Sequence, residues 1–170
     1  MGTNWLKYVL FFLLLVVLQV WILNRVHLFG FVTPLFYVYF ILKLPTNMNR
    51  NLLLFVACFL GLVIDFFSYT LGFNMFACAV IGFFRYYVLS AFAPRDMADS
   101  YIPSVETFGL SLFIRYATVL VIVHQIAFFV VESFAFLDVT MLLLRISGSS
   151  VLTLLLVFGT EQLNLDFLRK

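Results

Sequence analysis

The stretch Phe11-Phe12-Leu13-Leu14-Leu15-Val16-Val17-Leu18 decides the fold of this chain, because every residue in it is apolar. A barrel strand would alternate apolar and polar side chains. A helix at the surface of a soluble domain would keep one polar face. A segment that is apolar on all sides is typical of a helix surrounded by lipid. The uncharged run around it extends from Tyr8 to Asn24 and lacks a signal-peptide cleavage site, which predicts a retained membrane span.

The composition of the whole chain excludes an ordinary soluble domain. The 170 residues are 65% apolar and 11% charged, whereas soluble domains carry roughly 25% charge. With so few charges, the outside of a water-facing globule would become one exposed apolar patch. The high apolar content excludes disorder, and a net charge of +2 is too small for a nucleic-acid surface. We therefore expect an integral membrane protein, with lipids around it and no nucleic-acid partner.

The apolar segments predict an all-α polytopic protein. A helix needs about 20 mostly apolar residues to cross the hydrocarbon core. Proline and polar residues interrupt the apolar sequence at Pro45 to Arg50 and at Pro94 to Glu106, and Asp138 is a predicted helix cap. We predict a single transmembrane domain over residues 1–170, a bundle of six helices with spans at about 5–24, 28–44, 51–68, 72–93, 107–131 and 139–160.

The distribution of lysine and arginine predicts the orientation of these spans. Short loops on the cytoplasmic side of a membrane carry an excess of basic residues. A cytoplasmic N-terminus leaves Arg25 as the only basic residue of the outer loops. The inner side then holds Lys7, Lys43, Arg50, Arg95, Arg169 and Lys170. We therefore predict that both termini are cytoplasmic.

Charged and polar groups inside the spans are the first candidates for function, because each costs at least about 2.5–3.5 kcal/mol at the centre of a helix. We expect them to pair, with Arg145 meeting Asp65 or Glu132, and with Arg85 or Arg115 meeting Glu161 or Glu106. Three alternatives stay open: a docking face for a partner helix or a lipid-linked head group, arginines reaching lipid phosphates, and a proton relay. The candidate residues are Asp65, Arg85, Arg115, His124, Glu132, Arg145 and Glu161.

No catalytic pattern is present in the sequence. There is no HExxH, no GxSxG, no glycine-rich phosphate loop and no aspartate pair within a span. The two histidines lack metal-ligand spacing. Cys58 and Cys78 lie in apolar runs without a CxxC pattern, which favours a role in helix packing. We predict that the protein is not an enzyme and holds no metal or cofactor.

The third and fourth predicted spans carry a family resemblance. The run Gly61-Leu62-Val63-Ile64-Asp65-Phe66-Phe67-Ser68-Tyr69-Thr70-Leu71-Gly72 resembles the signature of the rod shape-determining protein MreD family, a Gly-Leu-x-x-Asp run leading through a short turn to Leu-Gly. Upstream, Pro34-Leu35-Phe36-Tyr37 and Leu44-Pro45 are similar to the second-span pattern of its Bacteroidetes-type members. Downstream, Ala77 to Arg85 continues the register. The detailed resemblance covers about residues 30–95.

The resemblance implies a non-enzymatic scaffold in the bacterial inner membrane. Members of this family bind MreC and support peptidoglycan synthesis and cell shape within an elongation complex that includes MreB, RodA and a penicillin-binding transpeptidase. Their fold is similar to the substrate-binding subunits of energy-coupling-factor vitamin transporters. The matching motif positions are Gly61, Asp65 and Gly72. We expect Gly61 to admit a neighbouring helix and Gly72 to supply a permissive turn, while Asp65 accepts hydrogen bonds from the following turn or pairs with Arg145.

The alternative function is that of a solute-binding transporter subunit. Such a subunit needs a polar pocket open to the outer side, and His124, Asp65, Glu132 and Arg145 are the residues available to line it. The first span has no alanine between Tyr8 and Asn24, so it lacks the Ala-x-x-x-Ala surface on which these subunits dock. The outer cavity discriminates the two hypotheses. A filled cavity favours the scaffold, and a hydrated pocket of several hundred Å³ favours solute binding.

Overall fold

The computed structural model describes residues 3–26, 30–92, 101–134 and 138–168, with side chains from residue 6 to residue 163 within these ranges. The described chain is helical, with one 3-10 turn over Leu23–Arg25. Its α-helices are α1 (Thr3–Trp21), α2 (Val38–Leu42), α3 (Arg50–Ser68), α4 (Phe73–Phe92), α5 (Val105–Phe108), α6 (Leu110–Glu132) and α7 (Val139–Leu168).

Five of the described helices are long and apolar enough to cross a membrane. Their apolar segments are Leu6–Arg25, Arg50–Ser68, Phe73–Phe92, Leu110–Glu132 and Val139–Leu163. Large apolar side chains cover their outward faces, including Leu14, Phe55 and Leu155. Such an exterior suits lipid, in which a helix satisfies its own backbone hydrogen bonds. The chain is therefore a helical membrane protein, in agreement with the predicted class.

The predicted second span over residues 28–44 is not a continuous helix. Within its described part only α2 is helical, and residues 33–35 have no regular structure; residues 28 and 29 lie outside the described ranges. Pro34 explains the interruption, because proline lacks an amide donor and disfavours helical geometry at the residue before it. Gly30 adds a positive φ of +80°. We call residues 30–44 the strap.

The strap runs through the core alongside α7. The backbone amide of Thr33 donates to Ser149 Oγ, and the amide of Leu35 donates to Thr153 Oγ1, both over 3.1 Å. Further along, the Tyr39 hydroxyl donates to Glu161 Oε1 over 2.6 Å. From residue 149 to residue 153 a helix rises about 6 Å. The strap covers this distance between Thr33 and Leu35, so its backbone is extended there, whereas Tyr39 reaches Glu161 with its side chain.

The long helices pack as neighbours in chain order around the strap. Helices α3 and α4 form an antiparallel hairpin, α4 packs on α6, and α6 packs on α7. Asn24 Nδ2 donates to Ser68 Oγ over 2.7 Å, which joins the end of α1 to the end of α3. We call this the hairpin end of the bundle, since it holds the turn between α3 and α4. The opposite end holds the turn between the strap and α3, and we call it the basic end after Lys43 and Arg50.

The remaining predicted boundaries are close, with two differences. The predicted fifth span at 107–131 is divided into α5 and α6 at Gly109, whose φ is +74°. The predicted sixth span at 139–160 continues to Leu168. Of the basic residues used to predict the orientation, Arg95, Arg169 and Lys170 lie outside the described residues.

Candidate functional site

Asp65 joins the two helices of the hairpin through both its backbone and its side chain. Its carbonyl accepts hydrogen bonds from the amides of Tyr69 and Thr70, which closes the C-terminus of α3. Its carboxylate accepts hydrogen bonds from the amides of Asn74, over 3.1 Å, and Met75, over 2.8 Å. These amides belong to the first turn of α4 and have no partner within that helix. A carboxylate at this position also interacts favourably with the positive end of the helix dipole.

Two glycines allow this hairpin to form. A Cβ atom on Gly61 would lie 2.5 Å from the carbonyl oxygen of Asn74 and 2.5 Å from Met75 Cα, so α4 crosses α3 at a distance that only glycine permits. Gly72 has a φ of +87° in the turn itself, a conformation that favours glycine. The close approach and the permissive turn expected from the sequence are therefore both present.

A chain of buried hydrogen bonds runs from Asp65 to His124. Asn74 Nδ2 donates to Asp65 Oδ1 over 2.9 Å, and the Tyr37 hydroxyl donates to Asn74 Oδ1 over 2.6 Å. His124 Nε2 lies 3.0 Å from the same hydroxyl. Because the hydroxyl proton is already committed to Asn74, Nε2 is assigned as the donor to Tyr37. Thr70 completes the chain by donating to Asp65 Oδ1. We call these five residues the polar chain.

The polar chain joins three separate parts of the fold. It connects the α3–α4 hairpin to the strap through Tyr37 and to α6 through His124, and all these side chains except Thr70 are buried. Nδ1 of His124 has no hydrogen-bond partner in the described structure. Hydrogen bonds in a low-dielectric interior are costly to leave unmade. The polar chain therefore fixes the hairpin relative to the core.

Gln19 of α1 holds the irregular part of the strap. Its Oε1 accepts the amide of Phe36 over 2.9 Å, and its Nε2 donates to the carbonyl of Pro34 over 2.9 Å. The same Nε2 donates to Asn24 Oδ1. With Ser149 and Thr153 of α7, these bonds replace the helical hydrogen bonds that the strap lacks. Non-helical backbone at membrane depth requires such partners.

Gln125 ties α6 to the same part of α7. Its Nε2 donates to Thr153 Oγ1 over 3.0 Å and to the carbonyl of Ser149 over 3.4 Å. Its Oε1 has no partner in the described structure, and neither does the nearby Ser150 Oγ. Gly148 contributes a close contact, because a Cβ there would lie 2.5 Å from Val32 Cγ2 of the strap. The strap is thus enclosed between α1, α6 and α7.

At the hairpin end, Arg145 pairs with Glu132, which is one of its two predicted partners. Arg145 Nη1 lies 2.9 Å from Glu132 Oε2, and both side chains are about one-third exposed. The other predicted partner, Asp65, belongs to the polar chain instead. The ion pair borders a cavity of about 610 Å³ lined also by Gly30, Phe31, Ser133, Asp138, Met141 and Leu142. His124 and Asp65 do not line this cavity, although the solute-binding hypothesis placed them there.

The predicted pairing of Arg85 or Arg115 with Glu161 or Glu106 is wrong. Glu161 is 2.5 Å from Lys43 Nζ and also accepts the Tyr39 hydroxyl. The strap places Lys43 beside α7, whereas the sequence predicted it only at the inner end of the second span. Arg115 and Glu106 are exposed and have no ion pair with any described residue.

Arg85 lies in the core and binds the end of the strap. It is 2% exposed, and its guanidinium donates to the carbonyl of Leu44 and, over 3.1 Å, to the Tyr116 hydroxyl. Tyr116 in turn donates to the carbonyl of Leu42 over 3.1 Å. Leu42 is the last residue of α2 and Leu44 lies two residues beyond it, so both carbonyls are at a helix end, where helical partners are lacking. At the adjoining loop, partial burial raises the pKa of Tyr101, and the Arg85 charge lowers it part of the way back.

The uncharged members of these networks were not predicted from the sequence. The candidate residues were limited to charged residues and histidine. This excluded the uncharged polar residues Asn74, Tyr37, Gln19 and Thr153. A signal was available for Gln19, since it is the only strongly polar residue between Lys7 and Asn24 in the first span. A buried amide in an apolar helix also requires hydrogen-bond partners.

The outer face of the hairpin is apolar and exposed. Phe66 is 73% exposed, Tyr69 96% and Leu71 89%. Tyr69 has a left-handed backbone with a φ of 55°, which is uncommon for a residue with a side chain. The amide of Tyr69 bonds to the Asp65 carbonyl, so the internal contacts of Asp65 hold the conformation that displays these residues. We call Phe66, Tyr69 and Leu71 the hairpin ledge.

The described residues contain no group of three or more histidine, cysteine, aspartate or glutamate side chains arranged to hold a metal ion. The buried polar groups hold helices, strap and hairpin together, which is a structural use. The fold and these networks therefore define a helical membrane protein with an apolar exterior and a largely apolar core that contains hydrogen-bonded polar networks. No family model, curated protein or solved structure matches the chain.

Proposed function

We propose that this protein is an MreD-like, non-enzymatic scaffold of the bacterial inner membrane that binds the transmembrane helix of MreC. In this role it supports peptidoglycan synthesis and cell shape together with MreB, RodA and a penicillin-binding transpeptidase. The observation that carries the proposal is the α3–α4 hairpin. Its motif residues Gly61, Asp65 and Gly72 fix it from within, and its outer side presents the exposed hairpin ledge.

A fixed apolar ledge is suited to recognising another helix inside a membrane. Helix association in lipid depends on close packing, since lipid tails are as apolar as leucine. Binding is stronger when the surface is already ordered, because less conformational freedom is lost on association. Large aromatic side chains are also typical anchors of interfaces. The ledge offers Phe66 and Tyr69 in a conformation that the polar chain holds in advance.

The proposed orientation places the basic end in the cytoplasm. Lys7, Lys43 and Arg50 lie toward that end, and Arg25 lies toward the hairpin end, which agrees with the positive-inside rule. The strap then makes the sixth crossing, partly extended rather than helical, between α1 and α3. Its hydrogen bonds to α7 from Thr33 to Tyr39 support this path. Six crossings leave both termini on the cytoplasmic side.

Co-purification with MreC tests the scaffold proposal. We expect Leu71→Ala to reduce the recovered complex several-fold, and Gly61→Leu and Asp65→Leu to reduce it further by disturbing the hairpin. Leu155→Ala is the matched control, because Leu155 is 63% exposed on α7, away from the hairpin. Unchanged complex formation in Leu71→Ala and Asp65→Leu, with folded protein, would exclude the hairpin as the interface.

The alternative function is binding of a small solute at the outer side. The cavity of about 610 Å³ beside Glu132, Asp138 and Arg145 favours it, because ligand pockets commonly have this size. Mass spectrometry of small molecules released from purified protein distinguishes the two functions. A stoichiometric solute that is lost in Arg145→Gln would support the alternative, and no retained solute together with MreC binding would support the scaffold.

A further inference from the structure

An apolar groove separates α1 from α3 at the basic end of the bundle. It encloses about 730 Å³. One wall comes from α1, the other from α3, and the strap and the following turn form its floor. The lining residues are Tyr8, Val9, Phe12, Leu13, Phe40, Leu44, Pro45, Asn47, Met48, Asn49, Leu52, Val56, Phe59 and Val63. No acidic residue is among them.

The groove is shorter than the hydrocarbon core of a bilayer. Its α3 wall extends from Asn49 to Val63, about 21 Å at the rise of an α-helix. Its α1 wall extends only from Tyr8 to Leu13, about 8 Å. A transmembrane helix would need a surface that follows the hydrocarbon core for about 30 Å. The two walls therefore face each other over only about a quarter of that length, and the longer wall also stays short of it, so the groove is too short for a spanning helix but can hold acyl chains.

The groove is polar only at its basic end. Asn47 and Asn49 line this mouth, and a shallower depression formed by Asn49, Arg50, Asn51 and Leu52 opens beside it. The two cavities share Asn49 and Leu52. One polar mouth on an otherwise apolar groove has the same polarity as a phospholipid, whose single head group lies at one end of its chains.

The charge at the mouth is positive and is not neutralised within the described protein. The Arg50 guanidinium lies 4.8 Å from the centre of the Phe83 ring and donates to the Tyr87 hydroxyl over 3.2 Å. It has no ion pair with any described acid. Lys7 is exposed one residue before Tyr8 of the groove. Basic residues at a membrane surface attract anionic head groups.

We propose that the groove binds an anionic phospholipid, with its acyl chains between α1 and α3 and its phosphate at Arg50. Arg50 lines the depression that shares Asn49 and Leu52 with the mouth of the groove, and arginine binds phosphate oxygens with charge-assisted hydrogen bonds. Anionic and neutral phospholipids can carry identical acyl chains. The positive charge at the mouth therefore selects between them by the charge of the head group. This lipid site is separate from the hairpin ledge and does not depend on the identity of a partner protein.

Native mass spectrometry with defined lipids tests this site. The purified protein is incubated with phosphatidylglycerol or phosphatidylcholine carrying identical chains, and the retained lipid is counted. We expect one phosphatidylglycerol to be retained in preference to phosphatidylcholine. Arg50→Gln should weaken this preference about fivefold, the size expected of one basic residue at an anionic surface, and Arg50→Lys should restore part of it. Arg115→Gln is the matched control, because Arg115 is exposed on α6, away from the groove.

A second variant tests the chains rather than the head group. Leu52 is partly exposed in the groove wall, so Leu52→Trp fills the groove without disturbing the core, and it should reduce retention of both lipids. Equal loss of phosphatidylglycerol in Arg50→Gln and Arg115→Gln would show that lipid retention depends on the overall surface charge and not on Arg50. This result would overturn the proposal. Lipid retention unchanged by Leu52→Trp would overturn it as well. So would the finding that Leu52→Trp releases a second copy of this chain, or MreC, rather than lipid.

Discussion

Replacing Asp65 should destabilise the protein more than replacing any other acidic residue of a helix end. Asp65 is 6% exposed, and its carboxylate accepts four hydrogen bonds, from two amides of α4, from Asn74 Nδ2 and from the Thr70 hydroxyl. Asp65→Leu leaves these donors without an acceptor. Hydrogen bonds within membranes average about 0.6 kcal/mol, which gives a lower bound of about 2.4 kcal/mol for four. Bonds to charged groups contribute about 1.5–3 kcal/mol each in soluble proteins, at least about 6 kcal/mol for four, and we expect a loss between the two figures, near 4 kcal/mol.

Asp138 provides the matched comparison. It is exposed and accepts two amides at the start of α7, those of Thr140 over 3.0 Å and Met141 over 3.3 Å. Loss of such a cap costs about 1 kcal/mol, so Asp138→Leu should have about a quarter of the effect. Asp65→Asn should be intermediate, since the amide keeps one acceptor oxygen.

The assay is unfolding in mixed micelles, with the free energy of unfolding of each variant measured against increasing denaturing detergent. Helical content by circular dichroism provides the signal. A loss in Asp65→Leu that equals the loss in Asp138→Leu within about 1 kcal/mol, the typical effect of a single substitution, would refute the inference that Asp65 joins the two helices.

Three further predictions use the same assay. Gly61→Ala should cost about 1–3 kcal/mol by overpacking, because its Cβ would meet the backbone of α4. Gly159→Ala is the control and should be neutral or stabilising, because there is open space around Gly159. Equal effects of the two substitutions would contradict the close crossing of α3 and α4. Gln19→Leu should cost about 3 kcal/mol by leaving two strap backbone groups unpaired, and a loss under about 1 kcal/mol would show that the strap needs no such anchor. Arg85→Leu should cost about 2–4 kcal/mol by removing the donor to the strap carbonyl, while the exposed Arg115→Leu should stay within about 0.5 kcal/mol.

The sequence predicts the long helices well because their signal is composition over many residues. The α3 and α4 boundaries differ by at most one residue from the predicted spans, since Arg50 and the turn at Ser68 to Gly72 mark them clearly. The strap escaped prediction because hydropathy measures apolar content and does not report backbone conformation. Pro34 was the available warning, but proline is also tolerated in membrane helices when neighbours satisfy the backbone.

The polar contacts were predictable only in part. The bonds from the following turn to Asp65 and the pair between Arg145 and Glu132 follow from sequence distance, because few residues separate the two partners in each case. The partners of Arg85 and Glu161 depend on the path of the strap, which brings Lys43 and Leu44 to them. A continuous helix was expected over the strap, so its contacts with Arg85 and Glu161 were not predicted. Pairing of these two charges with each other, or with Arg115 and Glu106, was expected instead.

Site-specific photocrosslinking in bacterial membranes tests the central proposal most directly. A photoreactive amino acid replaces Leu71 on the hairpin ledge or, as the comparison, Leu155 on the lipid-facing side of α7. The proposal predicts a crosslink to the transmembrane helix of MreC from position 71 and none from position 155. A crosslink of equal strength from both positions, or none from position 71 while the complex still forms, would contradict it.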